Sequence, residues 1–99
     1  MNNETHRYLI ELYPVSPNEW FHVYNIDNIL NNTPRAIDEA YDRFNLYLFA
    51  VRRRYNKDYV ENQIIYYNNS SWAVVEADSV RTAVNKFWDL FSRKCQHLL

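Results

Sequence analysis

The chain reads as an α+β domain of ββαββα order, a four-stranded antiparallel sheet with two helices on one face. Three observations predict this. Two stretches carry apolar residues at helical steps of three and four, Ile37 to Val51 and Val80 to Leu98. Four stretches are rich in aromatic and β-branched residues and are bounded by Pro, Asn, Asp or Ser. The two kinds alternate as strand-strand-helix, twice over. With 99 residues the chain is one domain, residues 1–99, large enough for a single core.

Residues 1–6 are mostly polar and are expected to fray. Arg7 to Tyr13 (RYLIELY) predicts a strand, and Pro14 to Asn18 a turn, because two prolines forbid both helix and interior strand there. Glu19 to Ile26 (EWFHVYNI) predicts the second strand of a hairpin, and Asp27 to Asn32 a short helical turn around Ile29 and Leu30. The main helix opens at Thr33-Pro34. The threonine hydroxyl can accept an orphan N–H there, and proline needs no donor at the first helical position. It closes at Arg52-Arg53-Arg54, where positive charge suits the negative end of the helix dipole. Its buried side is Ile37, Ala40, Tyr41, Phe44, Tyr47, Leu48 and Val51, with Tyr55 just beyond.

Glu61 to Tyr67 (ENQIIYY) and Trp72 to Ala77 (WAVVEA) predict a second hairpin, closed by Asn68 to Ser71. Asparagine supplies the left-handed conformation that glycine would otherwise provide. Asp78 or Ser79 caps the last helix. Val80, Ala83, Val84, Phe87, Phe91, Cys95 and Leu98 line its inner side, and Asp89 and Arg93 form an i,i+4 pair outside.

Composition excludes several functions. The chain has no glycine, so phosphate-cradling loops, dinucleotide fingerprints and nucleophile elbows are absent. One cysteine cannot form an internal disulfide, which fits a reducing compartment. No secretory leader and no apolar run of membrane-spanning length is present, so a cytoplasmic location is expected, in a host cell if the chain is viral. A net charge of −1 argues against a general nucleic-acid coat without excluding a local basic patch. His6, His22, Cys95 and His97 have no metal-ligand spacing, and Asp38, Asp42, Glu39 and Arg43 read as a wet helix face. No catalytic residue, cofactor site or metal site is predicted.

What remains is contact surface. Aromatic residues make up 17% of the chain, enough for a filled core, an interface, or both. If both helices cover Tyr8, Ile10, Leu12, Phe21, Val23, Ala73, Val75 and Ala77, alternation turns Leu9, Tyr13, Trp20, His22, Tyr24, Trp72 and Val74 outward, with Glu11 and Glu76. That reverse face is either a docking surface or is covered by the chain itself, for example by Asp27 to Asn32. Leu46 and Phe49 point to the other side of the main helix and suggest a helix-mediated contact, a homodimer among the options. Arg52, Arg53 and Arg54 are either a solvated helix end or a site for carboxylate or phosphate.

The expectation is a non-enzymatic protein-binding module whose partner-binding residues are Tyr13, Trp20, Tyr24, Trp72, Leu46, Phe49, Arg52, Arg53 and Arg54. The Asn- and Tyr-rich composition and small size fit a phage or mobile-element inhibitor of a host factor, anti-CRISPR-like, acting by steric occlusion. The alternative is a single-stranded nucleic-acid binder, with aromatics stacking bases and Arg52, Arg53, Arg54 and Lys57 holding phosphates.

Overall fold

The computed structural model describes residues 4–15, 18–30, 38–55 and 59–97. The side chains of 14, 15, 18–20, 28, 29, 38, 39 and 94–97 lie outside that description, as does the expected Thr33-Pro34 helix opening. The elements are β1 (His6–Val15), β2 (Asn18–Asn25), α1 (Asp27–Leu30), α2 (Asp38–Tyr55), β3 (Ile65–Tyr67), β4 (Ser70–Ala77) and α3 (Val80–His97). The strands form one antiparallel sheet in the order β2-β1-β4-β3. Two hairpins are thus joined along β1 and β4, in the α+β class and element order that the sequence predicts.

The placement of the helices differs from that expectation. Tyr8, Ile10, Leu12, Ala73, Val75 and Ala77 bury together with Ala83 and Phe87 of α3. Leu9, Ile65, Trp72 and Val74, on the opposite side of the pleat, bury with Phe44, Tyr47, Ala50 and Val51 of α2. The helices therefore sit on opposite faces, and the molecule has three layers. The physical reason is that both faces of the central strands are apolar. β4 reads Trp72-Ala73-Val74-Val75 without a polar break, and all four side chains are buried. Continuous rather than alternating hydrophobicity is the mark of a sheet covered on both sides.

Local departures have local causes. His6 does not fray: it opens β1, and its Nδ1 lies 2.7 Å from Asp27 Oδ2 while the Arg7 amide donates to Asp27 Oδ1 at 2.9 Å. β1 continues through Pro14, paired with Glu19. Beyond Leu12 it has lost β4 as a neighbour, so an N–H is no longer required on that side. β3 begins only at Ile65, and upstream of it Asn62 leaves the extended conformation with φ 60°. Asn62 instead donates its amide to the Val74 carbonyl at 2.9 Å.

Asn68 and Asn69 make the β3–β4 turn as a two-residue loop with φ 57° and 63°, tighter than the four-residue loop expected. Positive φ at both central positions matches the twist of the flanking strands. Ser79 caps α3, its Oγ accepting from the Thr82 amide at 3.1 Å, and the Asp89–Arg93 pair closes at 2.8 Å. On α2 the buried arc is Ala40, Phe44, Tyr47, Ala50 and Val51, narrower than expected, and Tyr41 and Tyr55 are exposed. Val80, expected to be inside, is exposed in the first turn of α3.

Candidate functional site

The exposed apolar surface gathers where α2 meets the sheet edge at β3. One helical turn separates Phe49 from Arg53, which brings the guanidinium over the ring at 5.6 Å from its centroid. Phe49 is 47% exposed and lies 6.0 Å from the Tyr67 ring. Tyr66, 53% exposed, alternates to the other side of β3, and Arg54 Nη2 donates to its carbonyl at 3.2 Å. Ala50, Arg53, Arg54, Tyr66 and Tyr67 line a depression of about 360 Å³. Among the described residues, neither Arg53 nor Arg54 meets a carboxylate. Two guanidiniums beside tyrosine rings can take a carboxylate or phosphate oxygen.

β3 is also an open sheet edge, which would invite pairing with another strand. It is only three residues long, and Arg54 occupies the Tyr66 carbonyl. The edge is therefore suited to side-chain contact rather than to strand addition.

On the same face of the sheet as α2, towards β2, His22 joins two tyrosines. Tyr24 Oη lies 3.2 Å from His22 Nδ1 and Tyr13 Oη 3.5 Å from Nε2, with both rings edge-on to the imidazole. A neutral imidazole donates to one hydroxyl and accepts from the other. His22 faces Glu11 across the strands. Glu11, Tyr13, Arg43, Asn68, Asn69 and Ser70 line a second recess, of about 400 Å³.

A third polar cluster fastens the N-terminal strand. Arg7 Nε donates to Glu61 Oε2 at 2.9 Å, and that hydrogen bond raises the guanidinium pKa. Burial raises the pKa of the Tyr47 hydroxyl, which donates to the Val60 carbonyl at 2.8 Å, and that of Tyr59. These groups tie segment 59–61 across α2 and β1 and offer no open site.

The expected contact residues therefore separate. Phe49, Arg52, Arg53 and Arg54 are on the solvent side of α2, and Leu46 is half-buried against the α2-side core. Trp72 is fully buried beneath α2, with its indole N–H donating to the Tyr67 carbonyl at 2.9 Å. It is a core residue, which corrects its expected place on an open face. Tyr13 and Tyr24 are half-buried around His22, and the Trp20 side chain lies outside the described residues. Tyr66, Tyr67 and Glu11 were not among the expected contact residues. Their sequence signals are a pair of tyrosines ending a strand, and a single charge inside the apolar run of β1.

Among the described residues no cluster of His, Cys, Asp or Glu could hold a metal ion. No described helix is long and apolar enough to cross a membrane. Comparison with family models, with curated proteins and with solved structures found no match to this chain.

Proposed function

We propose that this chain is a non-enzymatic protein-binding module that acts by steric occlusion and docks through the α2–β3 edge. The observation that carries the reading is Phe49, half-exposed with Arg53 across its ring and the Tyr67 ring at 6.0 Å, close to where Arg54 holds the carbonyl of the exposed Tyr66. Aromatic and arginine side chains supply most interfacial hot spots. The matching partner surface presents carboxylates around an apolar side chain, so that Arg53 and Arg54, which meet no carboxylate among the described residues, gain one on docking. A phage or mobile-element inhibitor of a host factor is the setting that the Asn- and Tyr-rich composition suggests.

The second reading is single-stranded nucleic acid at the same depression, favoured by the pairing of guanidiniums with tyrosine rings. Affinity capture from the native host, with wild type beside a Phe49→Ala/Tyr66→Ala variant of unchanged fold, separates the two. The expected result is one protein retained by wild type and weakened about 30-fold or more by the double variant, the scale of a hot-spot loss. Retention by both proteins alike would refute docking at this edge. Tight binding to single-stranded RNA or DNA that collapses with added salt would replace the proposal with the second reading.

A further inference from the structure

β2 (Asn18–Asn25) ends the sheet on the side away from the α2–β3 docking edge. The Ile26 amide donates to the Arg7 carbonyl at 2.9 Å, and these two residues continue the β1–β2 register. Backbone bonding alternates along an antiparallel strand. Trp20, His22 and Tyr24 therefore bond to β1, while Phe21, Val23 and Asn25 aim their N–H and C=O groups outward. The far side of the sheet gives the same phase. Val74 accepts from the Asn62 amide on the β3 side, so it turns its bonds away from Leu9, and Leu9 is left to bond Tyr24. Among the described residues, no backbone hydrogen bond from another segment reaches Phe21 or Val23 on the outer edge.

That edge lacks the features that keep sheet edges single. It is eight residues long, pairs with β1 without a bulge, and contains no Pro, Lys or Arg. β3, at the other edge, is three residues long, and Arg54 holds the Tyr66 carbonyl. Strand addition is thus open on one side of the sheet and closed on the other.

The residue order of β2 selects the strand that fits. NEWFHVYN is a chemical palindrome about His22: Phe21 and Val23 flank it, then Trp20 and Tyr24, then Glu19 and Asn25. An antiparallel neighbour related by a two-fold axis through His22 sets Phe21 opposite Val23, Trp20 opposite Tyr24 and Glu19 opposite Asn25, each pair occurring twice. Aromatic residues opposite aromatic or β-branched ones are favoured cross-strand pairs. The same register puts outward-bonding residues opposite each other, as the ladder requires. Moving it by two residues keeps the bonding phase but sets Phe21 opposite Asn25, or Val23 opposite Glu19, and the matching is lost. The axis stands perpendicular to the sheet, so each face runs on into the same face of the second copy. Phe21 and Val23, packed on the α3-side core, then extend that apolar row across the junction.

We propose that two copies of this chain pair antiparallel along β2, Phe21 against Val23, doubling the four-stranded sheet. The assembly closes at two, because the edge left on each copy is β3. The contact is one strand wide, which places it in the small, weak class of interfaces.

The test is analytical ultracentrifugation of the whole chain from micromolar to millimolar concentration, with amide hydrogen exchange read by NMR over the same range. The expected result is a monomer–dimer equilibrium. The Phe21 and Val23 amides should exchange about tenfold more slowly once the chain is at about ten times its dissociation constant. Val23→Pro removes an N–H that only the second copy uses, at an edge position that tolerates proline, and should weaken the dimer about tenfold or more. Val23→Thr, which keeps the N–H and the β-branch, should dimerise nearly as wild type does. Phe49→Ala should also dimerise, which keeps this edge separate from the docking edge. A strict monomer at millimolar concentration overturns the proposal. So does a dimer in which the Phe21 and Val23 amides exchange as in the monomer, one that Phe49→Ala abolishes, or growth beyond two copies. Equal weakening by Val23→Pro and Val23→Thr overturns it as well. Should Val23→Pro fail to fold, the wild-type exchange rates decide between these outcomes.

Discussion

Replacing Trp72 by alanine tests the layered architecture most directly. In a sheet with one bare face, Trp72 would be a surface ring and its removal would cost little. Here its side chain is fully buried against Ile65, Val74 and the inner face of α2, and its indole N–H is bonded to the Tyr67 carbonyl. Truncating a buried tryptophan to alanine costs about 3–5 kcal/mol, of which the cavity left behind is a part. The freed carbonyl adds little, because Tyr67 is only half-buried and water can replace the indole. About 4 kcal/mol is a large share of the roughly 5–15 kcal/mol that stabilises a small domain. At roughly 4–8 °C per kcal/mol for a domain of this size, the melting temperature should fall by about 15–30 °C. Urea denaturation followed by circular dichroism measures the change, with a constant m-value as the check that unfolding stays two-state. Trp72→Phe, which keeps a ring and loses the donor, should cost about 1–2 kcal/mol. A loss below about 1 kcal/mol for the alanine variant would place Trp72 at the surface and remove α2 from that face.

Two further outcomes follow from named groups. At Asn69, φ 63° suits asparagine and glycine but not alanine. Asn69→Ala should therefore cost about 1–2 kcal/mol in denaturant melts and Asn69→Gly should cost far less; equal losses would show that the turn does not need the left-handed conformation. Burial raises the folded-state pKa values of Tyr47 and Tyr59, whereas an unfolded tyrosine titrates near 10. Because the folded chain holds these protons more tightly, their contribution is complete below about pH 10 and declines as pH rises towards the folded values. Stability measured from pH 9 upward should fall, less steeply in Tyr47→Phe; identical slopes would refute the assignment.

The sequence makes the helices and turns legible and hides their arrangement. α2 and α3 announce themselves because each repeats apolar residues at helical steps of three and four, and Ser79 and the asparagine pair mark boundaries by hydrogen-bond and backbone chemistry. Which face each helix covers depends on whether a strand alternates, and Trp72-Ala73-Val74-Val75 does not. Such a run is equally compatible with an open aromatic face and with a second covering layer, until its continuity is taken as the signal. Residue type fails similarly for the rings: Trp72 and Tyr66 are both large and aromatic, yet one is in the core and the other half-exposed. Glu11 is hidden for another reason. A single charge in an apolar strand reads as a solvent-facing position, and its burial depends on Ser70, distant in sequence and brought across by the β1–β4 pairing.

The three-layer arrangement also decides where a partner can approach. With both faces of the sheet covered, the surfaces left are the sheet edges and the outer sides of the helices. The outer side of α3 carries Arg81, Asn85, Lys86, Asp89, Ser92 and Arg93, with Asp89 and Arg93 satisfying each other. That is a solvated face. The outer side of α2 carries Tyr41, Phe49 and Tyr55 among arginines, and Phe49 reaches the Tyr67 ring of β3. Large rings exposed beside guanidiniums lose more water-exposed apolar surface on docking than a charged face does, and they bring less rotamer freedom to lose. The asymmetry between the two helices therefore points contact to α2. The same argument explains why Trp72 serves poorly as a contact probe: its loss would weaken binding by unfolding the sheet beneath α2, whereas Phe49→Ala and Tyr66→Ala remove side chains that the core does not need.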